Sequence, residues 1–197
     1  MWQKITCMVV FVLMLCGCAH FGSTLDEGVV SFAHLNYENY RVLAVLQKLV
    51  EGVRSEDIIL IKSCFDREVA SYSGYLENFI FTNCEDLNMV LSDIEIFLLE
   101  AEKEVAHTSV TDCVFASGDS MHCSIDPKKA VFTKETFEKS TLTAQVFFDY
   151  EITGNCEDQE TAGVSSSGRQ MLQLVKNKNG TWKIVNAVSE SKRKGLF

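Results

Sequence analysis

Leu142-Thr143-Ala144-Gln145-Val146-Phe147-Phe148-Asp149-Tyr150-Glu151-Ile152 decides the fold. Leu142, Ala144, Val146, Phe148, Tyr150 and Ile152 fall on one side, while Thr141, Thr143, Gln145, Asp149 and Glu151 mostly take the other. Alternation over so long a run is the period of a β-strand with one buried face. A sheet that is apolar on one side needs cover from another layer.

Toward the C-terminus, residues 153–168 are polar and rich in Gly and Ser, and read as a loop. Gln170 to Lys176 and Thr181 to Val188 then flank Asn177-Lys178-Asn179-Gly180. Asn-Gly between two β runs predicts a hairpin. Toward the N-terminus, residues 128–139 are charged, with room for a short helical turn, and Asp126-Pro127 ends a strand from Met121 to Ile125. Gly118-Asp119 reads as a turn back into the β-rich run Val105 to Phe115. Ser92-Asp93-Ile94-Glu95 matches a capping box that would open an acidic helix, yet Ile94, Ile96 and Leu98 alternate. With Glu100-Ala101-Glu102-Lys103 as a polar turn, a hairpin is the expectation.

Earlier residues follow a helical period. Val42, Val45, Leu46, Leu49, Val50 and Val53 lie on one stripe of a helix over 37–53, whose last turn Gly52 weakens. Ser55 is expected to cap a second helix, with Glu56 and Asp57 in its first turn, Ile58, Ile59, Ile61 and Phe65 inward, and an end near Asp66. Val69 to Tyr72 contains β-formers. Leu76, Phe79 and Ile80 suit a short third helix, and 83–91 reads as another helical turn or a connection. The fold class expected is α+β, with N-terminal helices packed on an antiparallel sheet.

The first residues carry a different message. An apolar run from Ile5 to Leu15 follows Lys4 and closes on Leu15-Cys16-Gly17-Cys18. A positive start, a short apolar core and a small residue before the cut make an export signal. The run is shorter than the roughly 20 residues a membrane span needs. Leu15-Cys16-Gly17-Cys18 resembles the lipobox of bacterial lipoproteins. The resemblance implies cleavage after Gly17 and a diacylglyceryl group on the Cys18 sulfur, with palmitate-like acyl chains holding the chain on a membrane. One acyl chain holds only marginally, and two or three hold firmly. Ala19 implies sorting to the outer membrane, facing the periplasm. The expected organisation is a signal peptide over 1–17, a tether over 18–35, a domain over 36–190 and a basic tail over 191–197.

The formal charge is -9, and removing residues 1–17, with Lys4 and no acid, leaves -10. Such a body excludes nucleic acid as the natural partner and disfavours lying flat on anionic lipid. Lys192-Arg193-Lys194 reads as a solvated tail. Of eight cysteines, Cys7 and Cys16 leave with the signal and Cys18 is spent on lipid, so Cys64, Cys84, Cys113, Cys123 and Cys156 remain. The odd number leaves at least one thiol unpaired. Cys113 and Cys123 lie symmetrically about the 118–119 turn and are the candidate disulfide; Cys84 with Cys156 is a second choice without local support. Cys113, His122 and Cys123 supply metal-ligand types without a metal-site spacing, so no metal or cofactor is expected. Cys64 reads as a small buried hydrophobe.

Two stretches resemble the NTF2-like (nuclear transport factor 2-like) superfamily: the helix pair running from Leu49-Val50-Glu51-Gly52 through Ser55-Glu56-Asp57 to Asp66, and the closing hairpin Gly180-Thr181-Trp182-Lys183-Ile184-Val185. The resemblance implies a cone, in which a curved antiparallel sheet wraps helices and leaves a pocket at the wide end. Such pockets serve enzymes, binders and dimer interfaces alike.

No His-Glu-x-x-His, phosphate loop, Gly-x-Ser-x-Gly or Cys-x-x-Cys is present. The pocket candidates lie on the run from Val105 to Phe115. His107 would share a face with Ser109, Thr111 and Cys113, while Asp112 would share the other with Val110 and Val114, where an apolar wall raises a carboxyl pKa. The resemblance implies an aspartate base or a histidine–aspartate pair in its isomerase and cyclase members. Missing catalytic motifs favour a noncatalytic envelope lipoprotein binding a small apolar ligand or an envelope protein. The alternative is a small acid–base enzyme, an isomerase or dehydratase, using His107 or Asp112. A third expectation is a homodimer formed through the 142–152 face.

Overall fold

The stripe on the first helix and the alternating face of 142–152 meet in a computed structural model that describes residues 32–67, 79–116, 121–128, 142–156 and 164–190. The signal segment, Cys18, the tether up to residue 31, the 69–72 run, the Gly118-Asp119 turn, the charged stretch from residue 129 and the tail 191–197 lie outside these residues.

Helix α1 spans Phe32–Arg54 and α2 spans Ile58–Cys64. The strands are β1 (Cys84–Glu100), β2 (Lys103–Phe115), β3 (Met121–Pro127), β4 (Leu142–Cys156), β5 (Val164–Lys176) and β6 (Trp182–Glu190). They form one open antiparallel sheet in the order β3-β2-β1-β4-β5-β6. The class is therefore α+β, with helices on one face of the sheet.

The expected stripe of α1 is buried at Val42, Leu46, Leu49, Val50 and Val53. Together with Leu142, Ala144, Val146, Phe148 and Ile152 of β4 it forms one buried core, so the apolar 142–152 face is covered within the chain. Each fully buried aliphatic or aromatic side chain there contributes roughly 1.5–3 kcal/mol. Gly52 allows α1 and α2 to meet: a Cβ there would lie 2.8 Å from Ile61 Cγ1 and 3.1 Å from the Ile61 nitrogen. The weak helix former is the residue this crossing needs.

The cap of α2 is Asp57, not Ser55: the Asp57 carboxylate accepts from the Leu60 amide at 2.9 Å, and Ser55 Oγ donates to the Glu51 carbonyl at 2.8 Å. Glu56 turns the chain between them at φ 54. Ile61 and Phe65 point inward as expected, but Ile59 is 82 % exposed. After α2 the Asp66 amide donates to the Ile184 carbonyl at 2.8 Å and begins to cover the β6 edge.

The stretch 83–91 is neither a helical turn nor a connection, since β1 already runs from Cys84, and the short helix expected at Leu76 to Ile80 falls mostly outside the described residues. The physical reason is a change of phase. Leu87, Met89 and Leu91 point inward at odd positions; Ile94, Ile96 and Leu98 do so at even ones. The register shifts between Ser92 and Glu95, where Asp93 has φ 48, and again between Glu85 and Asn88, where Asp86 has φ 54. An extra residue in a bulge flips every side chain beyond it, and Asp tolerates the left-handed region. The β1–β2 hairpin turns at Ala101 and Glu102, both at positive φ, between the paired Glu100 and Lys103. The residues 153–168 are less loop than expected: Gly154 pairs with Val164, and Ile152 with Ser166. Ladder hydrogen bonds come from the backbone, so a Ser-rich run beside a long strand is drawn into the sheet. The 177–180 hairpin forms as expected, with Asn177 Oδ1 accepting from the Asn179 and Thr181 amides and Gly180 at φ 76.

Disulfides join Cys84 to Cys156 across β1 and β4, and Cys113 to Cys123 across β2 and β3. Cys64 is a free, buried thiol. Among the described residues no helix is long and apolar enough to cross a membrane.

Candidate functional site

Each strand offers its alternate side chains to the face away from the helices, and there the expected polar surface is interrupted. Phe97 on β1, Phe147 on β4 and Met171 on β5 are side by side through the pairings Phe97↔Gln145, Glu95↔Phe147 and Phe147↔Met171. Phe97 stacks on His107 with centroids 4.1 Å apart at 6°, and meets Phe147 edge-on at 5.6 Å and 85°. Glu95, Phe97, Phe147, Arg169, Met171 and Val188 line a depression of about 350 Å³, open to solvent on one side.

A chain of charge borders these rings. His107 Nε2 lies 3.5 Å from Glu95 Oε1, Arg169 Nη2 lies 3.7 Å from Glu95 Oε2, and Arg169 Nη1 lies 3.8 Å from Asp149 Oδ1. These separations serve ion pairs and exceed good hydrogen bonds. Accordingly, His107 Nε2 and Asp149 Oδ1 are shielded atoms with no hydrogen-bond partner among the described residues. A buried polar atom left unpaired costs about 1–3 kcal/mol. Both atoms belong to the charged chain that borders the depression.

The sequence candidates do not come together. His107 is on the outer face, stacked against Phe97. Asp112 is exposed at φ 52 in a bulge between Thr111 and Val114, and borders a separate shallow depression with Tyr40, Met121 and His122. Thr111 keeps its phase with His107 and Ser109, but the bulge after it turns Cys113 toward the core, and Val114 points to solvent at 59 % exposure. Asp112 thus has no apolar wall around it.

The covered face spends its polar groups internally. Glu38 accepts from Lys176 Nζ at 2.7 Å and Trp182 Nε1 at 2.9 Å, with Arg41 at 3.9 Å. Asn39 Nδ2 donates to buried Thr108 Oγ1 at 2.8 Å. Arg54, at the far end of α1, donates to the Phe115 carbonyl at 2.6 Å and the Met89 carbonyl at 2.8 Å; burial lowers its pKa. It lines a cleft of about 170 Å³ with Val50, Glu51 and Phe115. Burial pushes the Cys64 thiol up to about 11, against small opposing effects of Lys48 and Lys183. A thiol held protonated is a poor nucleophile. Among the described residues no group of three His, Cys, Asp or Glu is placed to hold a metal ion.

Phe97, Phe147 and Met171 went unread in the sequence, although a signal was there for two of them: Phe147 and Met171 are large apolar residues whose neighbours two positions away are polar, whereas Phe97 stands between Glu95 and Leu99. No protein-family model, curated protein or solved structure matches this chain, so the reading of its site rests on the side chains just described.

Proposed function

We propose that this chain is a lipid-anchored envelope protein whose domain, NTF2-like in outline, binds a ligand or protein partner noncatalytically through the outer face of its sheet. The observation that carries the binding half is the cluster of Phe97, Phe147 and Met171 on the face the helices leave uncovered. The anchoring half rests on Leu15-Cys16-Gly17-Cys18 after a short apolar run. The NTF2-like outline is supported by a helix pair that precedes the sheet and by a closing Gly180-x-Trp182 hairpin whose Trp182 reaches back to Glu38.

Mass spectrometry of the membrane fraction tests the anchor: the expected product begins at Cys18 and carries a diacylglyceryl group, and an intact Met1 without lipid overturns it. Binding is tested with the neutral dye Nile red, which is expected to bind the parent chain and lose at least about tenfold in affinity on Phe147→Ala. Equal binding by both chains removes the outer face from the proposal.

One observation favours a second reading, in which the face performs acid–base chemistry: the approach of His107 to Glu95. It predicts turnover of a small carbonyl or hydroxy compound that falls at least about a hundredfold in His107→Gln. A chain in which that substitution changes no measured activity is not an enzyme of this kind.

A further inference from the structure

The charged border of the outer depression specifies more than an apolar occupant. Glu95 and Asp149 share one guanidinium, Arg169, and neither is within hydrogen-bond distance of it. One guanidinium thus serves two carboxylates. Glu151, two residues along β4 from Asp149, adds a further exposed carboxylate on the same face. The shielded Asp149 Oδ1 is an acceptor without a donor. An acceptor-rich border therefore surrounds rings whose faces attract cations as well as other rings. The depression is only about half enclosed and leaves one side of whatever lies in it in water. A small ligand buries most of its surface in a closed pocket; an open trough on a sheet suits a longer partner that leaves its other side in water.

We infer that the outer face docks an extended segment of another protein that carries lysine or arginine next to an aromatic residue. The aromatic side chain enters between Phe97, Phe147 and Met171. The cation is held by the exposed parts of the Glu95 and Asp149 carboxylates. A cation also relieves the excess charge that Arg169 alone leaves. This inference rests on the proposed binding role of that face and narrows it to one partner chemistry.

The test uses the full chain in neutral phosphatidylcholine nanodiscs, with empty discs as the blank. Fluorescence anisotropy follows a labelled peptide alternating lysine and phenylalanine, a glutamate–phenylalanine counterpart and a lysine–serine counterpart. The first is expected to bind at least about tenfold tighter than either of the others. Asp149→Asn with Glu95→Gln is expected to weaken it about tenfold, and Phe147→Ala by as much again. Ile59→Ser, at the exposed apolar residue on α2, is expected to leave it unchanged. Circular dichroism confirms that each variant is folded. Equal affinity for the acidic peptide, or indifference to the carboxylate substitutions, overturns the inference. So does a dimer in sedimentation that Phe147→Ala dissolves, since the occupant is then a second copy. Peptide binding that emerges only when residues 191–197 are deleted also overturns it, since the chain then fills its own site. If Nile red still binds in a Phe147-dependent way while no peptide does, the inference fails and the proposed binding face stands; if neither binds, both fail.

Discussion

The two faces of this sheet are built from the same strands and obey opposite rules. Toward the helices, large side chains are sealed, and the buried carboxylate of Glu38 is matched by Lys176 and Trp182. Away from them, Phe97 and Phe147 are only partly buried, and the charges at Glu95, Asp149 and Arg169 meet only at ion-pair distances. The helix-covered face stabilises the fold, although Asn39 Oδ1, Arg54 Nε and Gln170 Nε2 also lack hydrogen-bond partners among the described residues. The outer face instead sets charges at ion-pair distances around a partly exposed apolar cluster, which folding alone does not require, and that arrangement is the strongest sign of a binding role.

Adjacent residues on β4 give the sharpest test of the contrast. Phe148→Ala on the sealed face should cost about 3–5 kcal/mol, read as a lowered urea midpoint at constant slope. Phe147→Ala, one position away, is expected to cost well under half as much; a comparable loss would make the outer cluster part of the core. Glu38→Ala should follow, at about 2–3 kcal/mol, because it strands the partly buried Lys176 and the buried Trp182 donors. Double substitution with Lys176→Met should recover part of that loss.

Alkali should act through the sealed face. The Cys64 thiol ordinarily ionises near 9.0 and is held near 11 when folded. Its burial is therefore without cost below pH 9, and stability falls as pH rises from 9 toward 11, where the unfolded chain has released a proton that the folded chain keeps. The loss should reach about 2–3 kcal/mol, and Cys64→Ala should remove that slope. Gly52→Ala should cost about 1–3 kcal/mol by pushing α2 off α1, against the small gain Ala brings to an open helix. The smallest effect is expected of Asp112→Asn, which should shift neither stability nor peptide binding measurably, because Asp112 lies exposed outside the outer cluster.

The regular parts were legible from the chain, and the irregular ones were not. β4 pairs with β1 and β5 on its two sides, and its inward period-two set survives along the whole strand, so 142–152 reads directly as a one-sided strand. The α1 stripe reads equally well because its burial is one-sided. β1 carries the same kind of apolar alternation, split into two phases by the bulges at Asp86 and Asp93, and a fixed-period reading sees a helix or a connection there. Asp112 misled for the same reason: a bulge moved it from the wall where alternation placed it. The binding cluster was hidden differently. Phe97, Phe147 and Met171 are far apart in sequence and meet only because β4 comes to rest between β1 and β5.

Both disulfides fall toward the same end of the sheet, where β1 starts and β4 stops, and where Arg54 fastens the C-terminal end of α1. The opposite end carries the turns at Ala101 and Gly180 and the first half of α1, held by Glu38 and Arg41 without covalent help. The molecule is thus a clasp riveted on one side. Under thermal fluctuation its amides should exchange with solvent from the unriveted side first, and a pull applied through the N-terminal segment would load that side before any sulfur bridge felt it.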